Sequence, residues 1–292
     1  MFDWLLQVNI FMFFAILISF TYTLYTQPLT TYEIIGLVLS VGTIMGTSIN
    51  VAHELGHRQT KFEQFLCKLM LMPNLYMHFF IEHNRGHHKN VATDEDPASS
   101  RKGEILYTFW FRSVIGGYLS AWNLETERLR NEGKAFFSVH NEMIWYHIIQ
   151  VAYVITLLVL TSWWVTALTL WVGVMGVLLL ETINYVEHYG LRRKKKESGR
   201  YERVKPHHSW NSNHEVGRIM LYELTRHSDH HFLASKKYQV LDHHAKAPHL
   251  PFGYPGSILM STIPPLWFYV MHKELEKINP ETAQLKSEFQ VA

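Results

Sequence analysis

Four long apolar runs dominate the hydrophobic pattern of the chain. They cover residues 5–25, 33–52, about 143–162 and about 164–183. Since about 20 apolar residues are needed to cross the hydrocarbon core of a bilayer, each run predicts a membrane-spanning helix. The first run has no basic leader and no small-residue cleavage site, and Asp3 precedes it. We therefore expect a retained helix here rather than a signal peptide.

The charged residues are concentrated in two long segments, 53–140 and 184–292. The links between the paired apolar runs, residues 26–31 and 162–164, contain no Lys or Arg, and nearly all of the 27 basic residues lie in the two long segments. The positive-inside rule then predicts that both segments and both termini are cytoplasmic. The sequence therefore predicts an all-α integral membrane protein, a transmembrane bundle of about four spans that forms a single domain over residues 1–292.

Two shorter apolar stretches precede the third run. Residues 62–81 are interrupted by Lys68 and Pro73, which favours a short, broken or interfacial helix. Residues 105–122 carry Arg112 and two adjacent glycines, which favours an interfacial helix over a span.

Further elements are predicted around these stretches. The Pro, Ser and Gly content of residues 94–104 predicts a loop. A helix is expected over 216–231, within an otherwise loop-like segment. The apolar stretch 256–270 is too short to span a bilayer and is broken by Pro264 and Pro265, so it too is predicted to be interfacial.

Histidine and cysteine usage narrows the chemistry. The single cysteine, Cys67, excludes an intrachain disulfide and a thiolate cluster, and is best interpreted as a buried apolar residue. Nine of the nineteen histidines fall into four clusters that flank the predicted spans, all on the predicted cytoplasmic side. Within the clusters they recur at separations of three and four, which places side chains on one face of a helix. The nine are His53, His57, His83, His87, His88, His188, His227, His230 and His231.

This concentration of imidazoles predicts a metal centre, because the neutral imidazole ring is a common metal ligand. The HELGH stretch places two histidines at i and i+4, as in zinc metalloproteases, but that site needs one more ligand and an open position. Nine imidazoles exceed what one ion can hold, so two metals with four to five nitrogens each are expected. Iron, zinc, copper and nickel all suit imidazole, and the spacing does not choose between them.

Four acidic residues neighbour the predicted ligands: Glu54, Glu82, Glu187 and Asp229. We expect them to accept hydrogen bonds that orient the imidazole rings. The alternative is that they are solvated charges on helix faces.

The four clusters resemble the signature motifs of the AlkB-type alkane 1-monooxygenases, which are non-haem di-iron hydroxylases of the bacterial inner membrane. Three histidine clusters alone would also be similar to membrane fatty-acid desaturases. The NYVEHYGL motif is therefore the main feature that distinguishes the alkane monooxygenases from the desaturases. The last motif has Thr225 where the family usually has Gln, and its histidines are unaffected. The matching stretches are HELGHR at 53–58, EHNRGHH at 82–88, NYVEHYGL at 184–191 and LTRHSDHH at 224–231.

The resemblance implies that the nine histidines bind two Fe ions in a cytoplasmic, histidine-rich cap. His207, His208 and His214 lie in a further family-like stretch, PHHSWNSNH, and are expected to form supporting hydrogen bonds rather than to bind metal. Family members usually have about six spans, whereas four are predicted here, one hairpin fewer. A missing helix pair would bear on chain-length selectivity and subunit contacts.

The resemblance also implies a reaction: terminal hydroxylation of medium-chain n-alkanes to 1-alkanols, with O2 and two electrons from rubredoxin, itself reduced by an NAD(P)H-dependent reductase. The alkane would arrive through the membrane lipid, and no nucleic-acid partner is expected. The basic run from Arg192 to Lys196 either steers an acidic electron carrier or is simply a topology signal.

Two other hypotheses remain open. A related di-iron membrane enzyme would desaturate a fatty-acyl chain or hydroxylate an aromatic methyl group such as that of xylene. A membrane protein that stores or transports metal ions is disfavoured, because its ligands would lie along a transmembrane path and not at one face.

Overall fold

The computed structural model describes residues 3–278, and within that range the chain is helical, with no β-strand. Four helices are long and apolar enough to cross a membrane. They confirm the four predicted spans, each within a few residues of the expected bounds. These spans are α1 (Asp3–Thr26), α2 (Thr31–Gly56), α7 (Glu142–Leu160) and α8 (Trp163–His188).

Eight further helices, together with short 3-10 and π-type turns, complete the described part of the chain. None of these eight qualifies as a span among the described residues. They are α3 (Lys61–Leu71), α4 (Phe79–Ile81), α5 (His88–Asn90), α6 (Leu106–Asn131), α9 (Glu215–Met220), α10 (His227–Phe232), α11 (Gly253–Ser261) and α12 (Pro264–Ile278).

Small residues bring α2 and α8 into close contact. A Cβ atom at Gly46 would lie 2.4 Å from the Leu179 side chain, and one at Gly176 would lie 2.7 Å from Cβ of Met45. Any larger residue at these glycines would force the two helices apart. In a bilayer, where lipid is as apolar as the side chains, such close packing is a principal source of helix association. The pair α2 and α8 therefore forms the axis that fixes the site at their ends.

The outer surfaces of the spans are apolar, as a lipid environment requires. Phe11, Ile18, Val159 and Trp163 are each more than 60% exposed. The turn between α1 and α2 is closed by a capping box, in which Thr30 and Glu33 exchange side-chain-to-backbone hydrogen bonds. The turn precedes Thr31, the first residue of α2, and so lies at the end of that helix away from His53.

Residues 61–90 form a broken helix, as the sequence predicts. Helix α3 ends at Leu71, and a 3-10 turn containing Pro73 follows it. The chain then enters α4 and continues as one turn of wider π-type helix, Glu82–His87, before α5. Such wider turns are rare and occur mostly at functional sites.

Helix α6 reaches Asn131, nine residues beyond the expected stretch. Its Arg112 donates to the Glu104 carboxylate and to the backbone carbonyls of Pro97 and Ser99. These bonds tie the loop 94–104 to the helix. A charge that looks out of place in an apolar helix therefore organises the adjoining loop.

The prediction of a single helix over residues 216–231 is wrong. The structure has two short helices there, α9 and α10, separated by a turn in which Tyr222 and Glu223 adopt left-handed backbone angles (φ of 50° and 57°). An ion pair between Arg218 and Glu223 spans this turn. Left-handed residues cannot continue a right-handed helix, so the last histidine cluster begins a helix of its own.

Candidate metal centre

The nine predicted ligands come from four elements that meet at one end of the bundle. His53 lies on the last turn of α2, and His57 directly follows that helix. His188 is the last residue of α8. Both positions confirm that the two spans continue into the site. The remaining six rings come from the turn 82–88 and from α10.

The structure brings all nine rings together, in two groups. In each group the ligand atoms lie within 4.8 Å of one another. We name them the five-histidine group and the four-histidine group. The five-histidine group is His53, His57, His83, His88 and His230. The four-histidine group is His87, His188, His227 and His231.

The π-type turn decides which group each ring of the second cluster joins. His83 and His88, five residues apart, share the five-histidine group, while His87 belongs to the other. A π-helix pairs residues at i and i+5, whereas an α-helix would place His83 and His87 on one face. The prediction that histidines three or four residues apart lie on one helix face is therefore wrong at this turn.

The short distances between Nε2 atoms in the five-histidine group are those expected around a bound cation. The Nε2 atom of His57 lies 3.2 Å from that of His53 and 3.1 Å from that of His83, which in turn lies 3.0 Å from that of His88. A ring nitrogen carries one hydrogen or one lone pair in the ring plane. It cannot make two such hydrogen bonds at once, so lone pairs converging on a cation explain the arrangement better.

The four-histidine group shows the same pattern. Nε2 of His227 lies 3.2 Å from that of His188 and 2.9 Å from that of His231. Nε2 of His231 also lies 3.2 Å from that of His87. The donor set is therefore chemically suited to a metal ion in each group.

Outside the spans, burial keeps six of these rings in the form that binds metal, whereas the Asp96 carboxylate outweighs burial at His87 and raises the pKa of that ring to about 9. The pKa values of His83, His88, His227 and His231 lie well below the ordinary histidine value, because burial disfavours the charged ring and neighbouring imidazoles add to that effect. Neutral rings offer the lone pair that ligation needs.

One supporting residue was missed by the sequence analysis. Oδ2 of Asp96 lies 2.9 Å from Nδ1 of His87, and both side chains are buried. Burial alone would raise the pKa of Asp96, but His87 and the Ser99 hydroxyl hold that pKa below its ordinary value. A carboxylate on the second ring nitrogen fixes the tautomer and raises ligand basicity. The DEDP run that begins six residues after His88 was the available signal.

Glu187 lies next to the four-histidine group. Its Oε2 atom is 3.2 Å from Nε2 of His227, and its Oε1 atom accepts a 2.6 Å hydrogen bond from Tyr254. Its carboxylate therefore faces the ring nitrogen that points into the group, rather than the outer nitrogen.

Glu54 and Asp229 make their described bonds away from the histidine groups. Glu54 pairs with Arg58 at 2.7 Å, and Asp229 accepts from Lys236 and from His244. Glu54 is therefore not placed like the general base of a metalloprotease HExxH helix. It ties the end of α2 to Arg58 instead. Glu82 lies in a small cavity beside His83.

The PHHSWNSNH stretch lies outside both groups. His207 and His208 form a third cluster with Glu202, and His214 is exposed. The backbone N–H of Lys205 donates to Nδ1 of His208, so the hydrogen of that ring is on Nε2, 3.4 Å from Glu202. His208 therefore uses its Nδ1 lone pair to accept this backbone hydrogen bond. It has no free lone pair for a metal.

Comparisons with known proteins agree with this geometry. The sequence model of the fatty acid desaturase family matches residues 31–264. The alkane 1-monooxygenase of Ectopseudomonas oleovorans is 45% identical over 88% of this chain and 64% of its own length. That of Acinetobacter baylyi is 44% identical over 81% of this chain and 58% of its own length.

A third relative is more distant. The xylene/toluene monooxygenase hydroxylase component of Pseudomonas putida is 27% identical over 85% of this chain and 65% of its own length. The chain spans about three fifths of the length of the first two relatives. The resemblance to alkane 1-monooxygenases is thereby confirmed. The match over residues 31–264, in a helical membrane-type chain with this histidine centre, establishes that the chain belongs to the fatty acid desaturase family.

Proposed function

We propose that the protein is a membrane monooxygenase that hydroxylates the terminal carbon of medium-chain n-alkanes. The observation that carries this proposal is the convergence of nine imidazoles, in groups of five and four, at the ends of α2 and α8. The 44–45% identity to two alkane 1-monooxygenases supports the choice of substrate.

In this proposal the two histidine groups hold one Fe ion each. Bound iron would supply the O2-dependent oxidising chemistry, and the protein would supply binding, orientation and exclusion of water. Asp96 would orient His87, and Glu187 would hold the Tyr254 hydroxyl beside the four-histidine group. The buried position of most of the nine rings limits access of bulk water to the centre.

The substrate would reach the site from the bilayer. An alkane dissolves in hydrocarbon, and two of the spans lead directly to the histidines. We place the bundle in the bacterial inner membrane with the histidine groups and termini on the cytoplasmic side. The turns at residues 27–30 and 161–162, on the other face, contain no Lys or Arg.

Rubredoxin is the proposed electron donor, reduced in turn by an NAD(P)H-dependent reductase. The basic run divides into two parts. Arg192 and Arg193 bond to the carbonyls of Ser100 and Lys89, whereas Lys194, Lys195 and Lys196 are exposed. The three lysines are the part available to steer an acidic carrier.

Whole-cell conversion tests the proposed function. Cells that co-express the protein, rubredoxin and the reductase would receive n-alkanes of graded length under 18O2. We expect 1-alkanols that carry one labelled oxygen. A double bond without label would indicate a desaturase, and labelled benzylic alcohol from xylene with no product from alkanes would indicate the aromatic alternative. Neither outcome is compatible with the proposal.

The docking surface has a separate test. Replacing Lys194 and Lys196 by Glu should raise the KM for rubredoxin at low salt and leave the kcat close to that of the wild type, since rim charges act mainly on association. Lys246, an exposed lysine elsewhere, serves as the matched Lys→Glu control. An equal effect of both changes would remove this surface from consideration.

A further inference from the structure

A small enclosed cavity lies beside the five-histidine group. His83 forms part of its wall, together with Glu82, His78, Glu181 and Asn184. The space open to the centre of a water molecule is about 10 Å³. A buried site needs about 10–15 Å³ by this measure to hold a water, so the cavity has room for one.

Two of the residues in this wall each carry one polar atom that has no hydrogen-bond partner among residues 3–278. These atoms are Oε1 of Glu82 and Nε2 of His78. Both side chains are more than nine-tenths buried. Leaving a buried polar atom unpaired costs about 1–3 kcal/mol. A water molecule can both donate and accept, and would satisfy both atoms from the same cavity.

Glu181 lies on the other side of the cavity. Its Oε1 atom accepts a 2.8 Å hydrogen bond from Tyr76, and its Oε2 atom accepts from Ser113 and Asn184. It is 2% exposed and has no Lys or Arg partner among the described residues. A carboxyl group held by neutral donors, with no cation to neutralise it, can take up and release a proton at one oxygen.

The cavity is close to a solvent-filled cleft. That cleft is lined by Asp94, Glu95, Arg101 and Glu127 among others. Pro97 lines both spaces.

The wall between the two spaces is thin. Of the two adjacent glycines of α6, Gly116 lines the cleft and Gly117 lines the cavity. Ser120, which lines the cleft, also interacts with the Glu82 carboxyl. One layer of residues therefore separates the cavity from water.

We propose that the cavity holds one ordered water molecule, and that Glu181 passes protons through this water from the cleft to the histidine centre. The proposal rests on the proposed function. Hydroxylation converts an alkane, O2, two electrons and two protons into an alcohol and water. The electron carrier supplies the electrons, and this route supplies the protons.

The proton balance of one step is simple. The Glu181 carboxyl gives its proton to the cavity water, and that water gives a proton to the oxygen atom that leaves as H2O. The Glu181 carboxylate then takes up a proton from the cleft. Glu181 does not touch the reacting atoms, so it acts as a positioning residue for the water.

Substitution of Glu181 tests the proton role. In E181Q we expect iron content equal to that of the wild type, with turnover lower by about 100-fold, the lower end of the range for lost acid–base assistance. E181D should recover part of the turnover. The solvent isotope effect should rise in E181Q, and less alcohol should form per electron consumed. A purely structural role for Glu181 would change neither of these last two readouts.

Glu142 provides the matched control. It is a partly buried glutamate at the start of α7, it is paired with Lys68, and it does not line the cavity. E142Q should retain wild-type coupling and isotope effect. If the wild type forms alcohol and E181Q matches it in turnover, coupling and isotope effect, the proton role is wrong and the proposed function stands. If the wild type itself oxidises no alkane, the proposed function fails.

The water site has an independent test. A high-resolution map of the protein should show density between Glu82 and His78. Gly117→Ala should remove it, because the added Cβ lies 3.8 Å from Cγ of Glu82 and occupies part of the cavity without a clash. An empty cavity in a map that resolves other buried waters would overturn the assignment.

Discussion

The two histidine groups differ in how they are enclosed and supported. The five-histidine group has more nitrogens, but His57 and His88 are only half-buried. The four-histidine group is completely buried, and carboxylates lie against it at Asp96 and Glu187. A neutral donor set leaves the charge of a cation uncompensated, whereas nearby carboxylates offset it. Fewer ligands with anionic support can therefore hold a metal as firmly as more ligands without it.

Removal of one ligand should produce the largest effect. H188A leaves three nitrogens in its group, while H88A leaves four in the other. We expect H188A to lose about one of two irons per chain and H88A to retain more iron. Both should lose at least about 100-fold in turnover, the upper range seen even for changes in supporting residues. Iron per chain, measured by emission spectrometry, gives the comparison.

The exposed His140 serves as the control for both variants, and H140A should bind iron like the wild type. Full iron content and full activity in H188A or in H88A would remove that residue from the ligand set. Equal iron loss in the two variants would contradict the difference between the groups.

Loss of the Asp96 carboxylate should come next in size. D96N removes the negative charge beside Nδ1 of His87, so we expect about 10–100-fold weaker iron binding in the four-histidine group. D94N, in the same loop but exposed, is the matched control. Competitive titration with a chelator measures the difference. Identical affinities in the two variants would mean that Asp96 serves only the loop.

Chelator kinetics should separate the groups in the wild-type protein. Because two of the five rings in the first group are partly exposed, we expect its iron to leave faster than that of the buried group. The time course of iron release should therefore have two phases of equal amplitude. D96N should speed the slow phase alone. A single phase would show that exposure of the rings does not control release.

A smaller, pH-dependent effect is expected beside the five-histidine group. Burial, with help from His147, lowers the pKa of His78 to about 4. A histidine with a lowered folded-state pKa stabilises the fold above its unfolded pKa of about 6.5, and this stability is lost as the pH falls towards 4.

At about pH 5.5 the loss attributable to His78 should be about 1 kcal/mol of unfolding free energy. His78→Gln should show a shallower fall of Tm between about pH 7 and pH 5.5, measured in detergent. An unchanged slope would assign the acid sensitivity to other groups.

The sequence predicted the spans well because each is encoded locally. Length and apolar content decide whether a helix can cross a bilayer, and both are read within about 20 residues. The same holds for the break at Pro73, where the missing N–H ends the helix whatever its surroundings. The nine histidines could also be found from the sequence, since their number and their grouping into four clusters require no tertiary information.

The sequence alone thus determined the four apolar helices and the set of nine histidines that meet at one end of the bundle. Only the tertiary structure decided how those side chains divide into five and four, because a π-type turn at 82–87 and a left-handed turn at Tyr222 and Glu223 set their directions. It also decided that Asp96 supports His87 and that Glu54 pairs with Arg58. These outcomes depend on contacts between segments distant in the chain, and periodicity within one segment carries no information about them.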